Sequence, residues 1–202
     1  MFDSSLLIET VSDTALAVAY ARAVEADRSD ALFQDVFARS LAGERGKQIY
    51  QKLQGDRSLY WLIVSRTWIL ERLILQAIEQ GVDTVLNLAA GLDTRPYRMA
   101  LPANLRWIEV DFPGVLAYKQ EKLASAQPLC QLERMPADLT IAHQRQQVLT
   151  KVAQISGKTL VITEGLLVYL KPDQVAAIAT DLQTCSPVSI WLTDLVPPLV
   201  AR

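Results

Sequence analysis

The sequence has few residues of the kinds that build metal centres and disulfides. Its 202 residues include a single histidine, His143, and two widely separated cysteines, Cys130 and Cys185. One imidazole and two distant thiols do not match the ligand spacing of a zinc site, so we predict no bound metal. The cysteines are typical of reduced, buried thiols in a cytoplasmic protein, and one disulfide between them is the alternative.

Runs of charge and long hydrophobic runs are also missing. The net charge is −2 and no basic cluster occurs, so binding to nucleic acid or to an anionic membrane surface has no electrostatic support. The longest apolar run, residues 160–170, contains Glu164 and is too short to cross a bilayer. Residues 1–11 carry Asp3 and Glu9 without a basic flank, which excludes a secretory signal.

The chain contains enough apolar residues to bury one core. Hydrophobic residues make up 50% of the sequence and charged residues 21%, which excludes intrinsic disorder. The 8 glycines and 9 prolines are too few for a low-complexity segment, and no stretch has the composition of a linker. We therefore expect residues 1–202 to form one domain, with a helical part over residues 1–81.

Three apolar stretches in that part have helical spacing. They predict helices over residues 14–26, 30–41 and 58–80. Asp13 is a candidate cap for the first helix, and Gly43 and Gly81 follow the second and third.

From residue 82 onward, short apolar runs alternate with helical stretches. The runs predict strands over residues 84–88, 106–110, 129–134, 159–163 and 188–193. The stretches between them predict helices over residues 114–126, 141–155 and 172–184. Because such alternation favours parallel pairing with right-handed crossovers, we predict an α/β three-layer sandwich with a mainly parallel sheet and a helical N-terminal cap.

Small and acidic residues follow the predicted strands, at the edge where parallel sheets bind ligands. Gly91 follows the first strand and Asp111 the second, while Asp138 and Leu139 follow the third. Asp111 comes 20 residues after Gly91, the spacing at which an acid meets a ribose in nucleotide-binding folds. The structural alternatives are a tight turn at Gly91, a solvated acid at Asp111 and a helix cap at Asp138.

Two charged residues lie within apolar stretches, where an unpaired charge is costly. Glu164 interrupts the run that follows the fourth strand, and Arg66 lies on the apolar third helix. Either a ligand or a salt bridge between the two would satisfy both charges. Glu109 alternates with apolar residues of the second strand, and we interpret it as solvent-facing or paired.

Five segments together carry a pattern that is more specific than any one residue. They read SRT at 65–67, NLAAGLDTRPYR at 87–98, WIEVDFP at 107–113, ADL at 137–139 and TEGLLVYL at 163–170. In this order and spacing they resemble the leucine carboxyl methyltransferase-like family, a branch of the class I S-adenosyl-L-methionine-dependent methyltransferases. The resemblance extends over roughly residues 14–195 and implies a Rossmann-like fold.

The resemblance implies that S-adenosyl-L-methionine is the cofactor and assigns residues to its methionine part. Arg66 would bind the methionine carboxylate, as a guanidinium fork can. Gly91 would let the backbone pass close to the methionine part, and Glu164 would lie near the amino group.

The same resemblance assigns residues to the nucleoside part of the cofactor. Asp111 would accept hydrogen bonds from the ribose hydroxyls. Asp138 would accept from the adenine amino group, and the backbone N–H of Leu139 would donate to the ring.

The function implied by the resemblance is O-methyl transfer to a carboxylate, or to a hydroxyl, of a small molecule or peptide. A carboxylate is ionised at pH 7 and needs no general base, and the sequence offers no convincing one. Tyr97 and Tyr169 are candidate substrate-side hydroxyls. The alternatives are a catalytically impaired module that binds the cofactor or a partner and a nicotinamide-dependent oxidoreductase, whose second and third glycines are missing here.

The family fold implied by the resemblance continues past the fifth strand with two further strands and a segment over the acceptor site. Arg202 follows the fifth predicted strand closely, so we expect those C-terminal strands to be missing from this sequence. Residues 188–193 would then form an exposed apolar edge, which favours pairing with a second copy of the chain.

Overall fold

The computed structural model describes residues 11–53 and 57–195. Two expectations from the sequence lie outside the described residues: the absence of a secretory signal at the N-terminus and the absence of further strands near the C-terminus. Among the described helices, none is both long enough and apolar enough to cross a membrane.

Three helices form the N-terminal part of the fold: α1 (Val11–Ala26), α2 (Ala38–Leu53) and α3 (Arg57–Glu79). The helices predicted over residues 14–26 and 58–80 are confirmed as α1 and α3. The prediction that Asp13 caps the first helix is wrong, because Asp13 lies within the first turn of α1. Its carboxylate instead accepts hydrogen bonds from Arg45 of α2 at 3.1 Å.

The helix predicted over residues 30–41 is wrong. Most of that segment is turn and loop, and its apolar residue Val36 is 76% exposed. The Asp35 carboxylate accepts a hydrogen bond from the backbone N–H of Ala38, so the helix begins at Ala38. The predicted stop near Gly43 corresponds to a break inside α2, because Gly43 takes a left-handed φ of 57° at a kink between two helical pieces.

Five parallel strands form one sheet in the described part of the chain: β1 (Thr84–Leu88), β2 (Arg106–Asp111), β3 (Gln131–Pro136), β4 (Thr159–Thr163) and β5 (Val188–Thr193). The remaining helices are α4 (Arg95–Arg98), α5 (Pro113–Lys122), α6 (Ala142–Ile155) and α7 (Pro172–Thr184). The predicted α/β fold is confirmed, although β3 begins later than expected and the short helix α4 was not predicted.

The strand order β3-β2-β1-β4-β5 determines where a ligand can bind. The chain builds outward from β1 to β3 and then returns to the other side of β1, so the order reverses between β1 and β4. All residues of these two strands are buried, because α6 and α7 pack on one face of the sheet and α3 on the other. In such sheets the crevice beyond the carboxyl ends of the strands at this reversal is the binding position.

Glu109 of β2 is paired rather than solvent-facing. Its side chain is fully buried and accepts hydrogen bonds from Lys119 Nζ at 2.6 Å and from Arg134 Nε at 3.0 Å. Cys130 and Cys185 are both buried free thiols, so the disulfide alternative is wrong.

Within residues 11–53 and 57–195, β5 occupies one edge of the sheet, with β4 as its neighbour. Its apolar side chains are partly exposed, as expected for an edge strand: Val188, Ile190, Trp191 and Leu192. The position of this edge therefore agrees with the sequence. Pairing of the edge with a second copy of the chain stays a prediction.

Candidate functional site

A cavity of about 440 Å³ lies between the carboxyl ends of the strands and the helices α1 and α3. Its volume is in the range of small-molecule and cofactor pockets. All six residues singled out from the sequence line it: Arg66, Gly91, Asp111, Asp138, Leu139 and Glu164. They come from separate helix and strand-end segments, so it is the fold that brings them together.

The loop after β1 forms the floor of the cavity with unusual backbone geometry. Gly91 has a φ of 48°, which glycine adopts readily, and Ala89 has a φ of 56°, which a residue with a side chain rarely adopts. A Cβ at Gly91 would lie 3.6 Å from the Cβ of Ala15, so α1 packs closely over this loop. Helix α1 therefore covers the loop after β1.

Asp111 fastens that loop to the end of β2. Its Oδ2 accepts a hydrogen bond from the Gly91 N–H and its Oδ1 accepts one from the Phe112 N–H, each at 2.7 Å. Burial raises the pKa of Asp111, and the two backbone donors and Lys119 act in the opposite direction. Each carboxylate oxygen can accept a second hydrogen bond, so Asp111 retains capacity toward hydroxyl groups in the cavity. The solvated-acid alternative is wrong, since Asp111 is 8% exposed.

Asp138 and Leu139 lie in the turn between β3 and α6. The Asp138 Oδ1 accepts hydrogen bonds from the Thr140 N–H at 2.8 Å and from the Thr140 hydroxyl at 2.6 Å. Asp138 is not the cap of α6, because the residue at that position is Ile141. The Leu139 carbonyl accepts a hydrogen bond from Arg145 Nη1 at 2.9 Å, which fixes the turn against the cavity.

Arg66 and Glu164 form a salt bridge, which was one of the two explanations that the sequence offered for these charges. Arg66 Nε donates to Glu164 Oε1 at 2.9 Å, and Arg66 Nη1 donates to Asp194 Oδ2 at 2.6 Å. The other oxygen of Asp194 accepts the Gly165 N–H at 2.8 Å. Gly165 has a φ of 66°, which places the loop after β4 beside the Arg66 guanidinium.

Arg95 of α4 is a second cation on Glu164. Its Nη1 donates to Glu164 Oε2 at 2.7 Å and to Asp93 Oδ2 at 3.2 Å, and its Nε lies 3.7 Å from Glu71 Oε1. Burial alone would raise the pKa of Glu164, but Arg95 and Arg66 lower it below its ordinary value. Glu164 is therefore ionised at neutral pH.

Sequence reasoning missed Asp93, Arg95 and Asp194 as parts of this cluster. Asp93 and Arg95 lie inside the segment 87–98 that carried the resemblance, and their charges within it were the available signal. Asp194 directly follows β5, in the position that Asp111 holds at the end of β2 and Glu164 holds after β4. A search of every strand end would have found it.

The two candidate substrate-side tyrosines are separated by the fold. Tyr97 is buried, and its hydroxyl accepts a hydrogen bond from Arg134 Nη2 at 2.6 Å, away from the cavity lining. Tyr169 lines the cavity and is 47% exposed. Tyr169 is thus the one of the two that can contact a molecule in the cavity.

The lining combines charges of both signs with apolar surface. Arg66 and Glu164 can recognise a carboxylate and an amine, and Asp111 can accept from hydroxyl groups. Thr67 also lines the cavity, and its buried hydroxyl has no hydrogen-bond partner among the described residues. The cavity therefore suits a ligand that carries a zwitterionic group and hydroxyls.

The chain is similar in sequence to a family of known proteins. The family model described as leucine carboxyl methyltransferase matches residues 15–183. A relative from Parafrankia is 33% identical over 186 residues, covering 87% of this chain and 60% of the relative. Relatives from Rhodococcus jostii and Streptomyces coelicolor are 35% and 34% identical, covering 83% and 80% of this chain. All three are named, provisionally, as S-adenosyl-L-methionine-dependent methyltransferases.

The chain spans about 60% of the length of these curated relatives. A solved structure described as an O-methyltransferase family protein from Burkholderia thailandensis overlaps with a TM-score of 0.43 at 11% identity, covering 93% of this chain and 55% of that one.

Proposed function

This chain belongs to the leucine carboxyl methyltransferase family, and from that premise we propose that it is an S-adenosyl-L-methionine-dependent methyltransferase. The observation that carries the proposal is the convergence of Arg66, Asp111 and Glu164 on one cavity at the reversal of strand order. The oppositely charged pair suits the zwitterionic methionine part, and the acid at the end of β2 suits a ribose.

Side chains and one backbone N–H of this chain would bind the cofactor through charges and hydrogen bonds that match its own groups. Arg66 would bind the carboxylate, and Glu164 would bind the amino group. Asp111 would accept from the ribose hydroxyls. Asp138 and the backbone N–H of Leu139 would bind the adenine. The cofactor supplies a methyl group activated by a positively charged sulfur, so the protein chiefly aligns the acceptor and excludes water.

We propose a carboxylate, of a small molecule or a peptide, as the acceptor. A carboxylate oxygen is ionised at neutral pH and can attack the methyl carbon without first losing a proton. This choice is supported by the charged groups of the described lining, because Glu164 and Arg95 are engaged with each other and Asp111 with backbone donors. A hydroxyl acceptor would need a base to take its proton, and of these groups only the carboxylates of Glu164 and Asp111 could do so.

Isothermal titration of the 202-residue chain with S-adenosylhomocysteine tests the cofactor site. We expect the wild-type chain to bind, and Arg66→Ala or Asp111→Asn to weaken binding by at least about tenfold, the value of one charge-assisted hydrogen bond. Asp83→Asn is the matched control. Its carboxylate also accepts backbone N–H groups, from Gly157 at 3.0 Å and Lys158 at 3.3 Å, at the opposite end of the strands.

The outcomes separate the hypotheses. A wild-type chain that binds no S-adenosylhomocysteine, or variants that bind as tightly as wild type, would contradict the assignment. Binding together with no methyl transfer to a broad panel of carboxylates would favour the binding-only alternative. Nicotinamide cofactors serve as a negative control, because the loop after β1 leads into the four-residue helix α4 rather than a long helix that could bind a pyrophosphate.

A further inference from the structure

Glu164 is held by two arginines that differ in their access to the cavity. Arg66 binds one of its oxygens at 2.9 Å and Arg95 binds the other at 2.7 Å. The Arg66 side chain is 15% exposed, whereas the Arg95 side chain is 2% exposed. Both arginines line the cavity, but the Arg66 side chain presents more of its surface to a bound molecule than the Arg95 side chain does.

Arg66 is already shared between two carboxylates. Its Nη1 binds Asp194 at 2.6 Å while its Nε binds Glu164. A ligand carboxylate that approaches Arg66 adds a third acid to the same guanidinium, which has five N–H donors. The attraction between Arg66 and Glu164 weakens when this happens, because the positive charge is shared more widely.

Arg95 is also held by acids other than Glu164. It lies between three acids from separate parts of the fold: Asp93 at 3.2 Å, Glu71 at 3.7 Å and Glu164. Its position on α4 is further set by the Asp93 Oδ1, which accepts the backbone N–H of Arg95 at 3.0 Å. Arg95 is thus a fixed cation behind Glu164.

We propose that Arg95 is a positioning residue that holds the Glu164 carboxylate at the cavity while Arg66 binds the ligand's carboxylate. This inference rests on the proposed function and goes beyond it by dividing the work between the two arginines. Without Arg95, Glu164 turns toward Arg66 and occupies the guanidinium that the ligand needs. Recognition of an amino acid group then fails, while recognition of a nucleoside by Asp111 is unaffected.

Two ligands that differ only at the amino acid end test this division. S-adenosylhomocysteine carries the carboxylate and the amine, and 5′-methylthioadenosine lacks both. By titration of the full chain, we expect Arg95→Gln to bind S-adenosylhomocysteine at least about tenfold more weakly than wild type. Its affinity for 5′-methylthioadenosine should change by less than about twofold, within the reach of minor packing changes.

Arg134→Gln is the matched control, since it also removes one of two cations from a buried glutamate. Arg134 binds Glu109 at 3.0 Å and is not among the residues that line the cavity. We expect this variant to change the affinities for the two ligands by the same factor. A selective loss for S-adenosylhomocysteine in Arg134→Gln would overturn the assignment, because selectivity would then report general destabilisation.

A conservative variant keeps the test decisive if Arg95→Gln does not fold. Arg95→Lys retains the charge and can donate to Glu164 and Asp93 from one nitrogen, as Nη1 does, but it lacks the Nε that lies 3.7 Å from Glu71. We therefore expect a smaller selective loss, of about threefold. Equal losses for both ligands, or no loss, would overturn the inference while leaving the proposed function intact. A wild-type chain that binds neither ligand would overturn both.

Discussion

Replacing Lys119 by methionine tests how the fold secures the strand that ends in Asp111. Lys119 of α5 and Glu109 of β2 are fully buried, with 2.6 Å between Nζ and Oε1. Methionine resembles the lysine stem but has no charge. Glu109 in the variant keeps Arg134, at 3.0 Å, as its cationic partner.

The expected loss follows from burial and from the partner that remains. Removing one member of a buried ion pair costs about 3–5 kcal/mol. Because Arg134 still binds Glu109, we expect a loss near the lower limit, about 3 kcal/mol of the free energy of unfolding. This is a large part of the roughly 5–15 kcal/mol that stabilises a domain, so it is readily measured by urea unfolding.

The loss should depend on pH in a defined direction. Burial already raises the pKa of Glu109 in the folded chain, and removal of Lys119 raises it further. A carboxyl whose folded pKa is raised stabilises the fold below its unfolded pKa, and this stability is lost as the pH rises through the folded value. The variant should therefore be most impaired near pH 8 and should recover as the pH falls toward 5.

Urea unfolding at pH 8 and pH 5 measures both effects. The double variant Glu109→Gln, Lys119→Met should lose at least about 2 kcal/mol less than the sum of the single variants. Lys151→Met is the control, because Lys151 pairs with Glu133 at a site where both side chains are 42% exposed, and it should change stability by less than about 1 kcal/mol. Additive losses, or a deficit equal at the two pH values, would refute the reasoning.

Two further predictions concern the loops around the cavity. Gly165→Ala should destabilise the chain by about 1 kcal/mol, because Gly165 has a φ of 66° that alanine adopts only with strain. Gly114→Ala in α5 is the control and should be neutral or stabilising, since no atom lies near the new Cβ. Thermal unfolding of both variants measures the difference. Although burial opposes it, Arg95 helps to lower the pKa of Asp93 from 3.8 to about 2. That ionisation stabilises the fold above pH 4 and is lost as the pH falls through 2, so Asp93→Asn should cost about 2 kcal/mol at pH 7 and progressively less in acid, in urea unfolding. A pH-independent cost would contradict this assignment.

The strand pattern was predictable because the central strands are buried on both faces. Residues 84–88 and 159–163 are short, mainly apolar runs, and the structure confirms both within their predicted bounds. The helix predicted over residues 30–41 was wrong because a local hydrogen bond, and not burial, decides where the helix begins. Its apolar residues have helical spacing, but the Asp35 carboxylate binds the N–H of Ala38 and starts a helix there. A side-chain contact with the backbone thus overrode the periodicity.

The sequence by itself determined the order of the five strands and the residues at the strand ends, including Gly91, Asp111 and Glu164. These follow from local rules, since apolar runs specify strands and a parallel sheet brings the ends of its strands to one edge. Only the tertiary structure decided which charges meet there. Arg95 and Asp194 join Glu164 and Arg66 because α3, α4 and the ends of β4 and β5 pack together. No spacing encodes that contact, because it depends on the relative placement of elements that are remote in the chain.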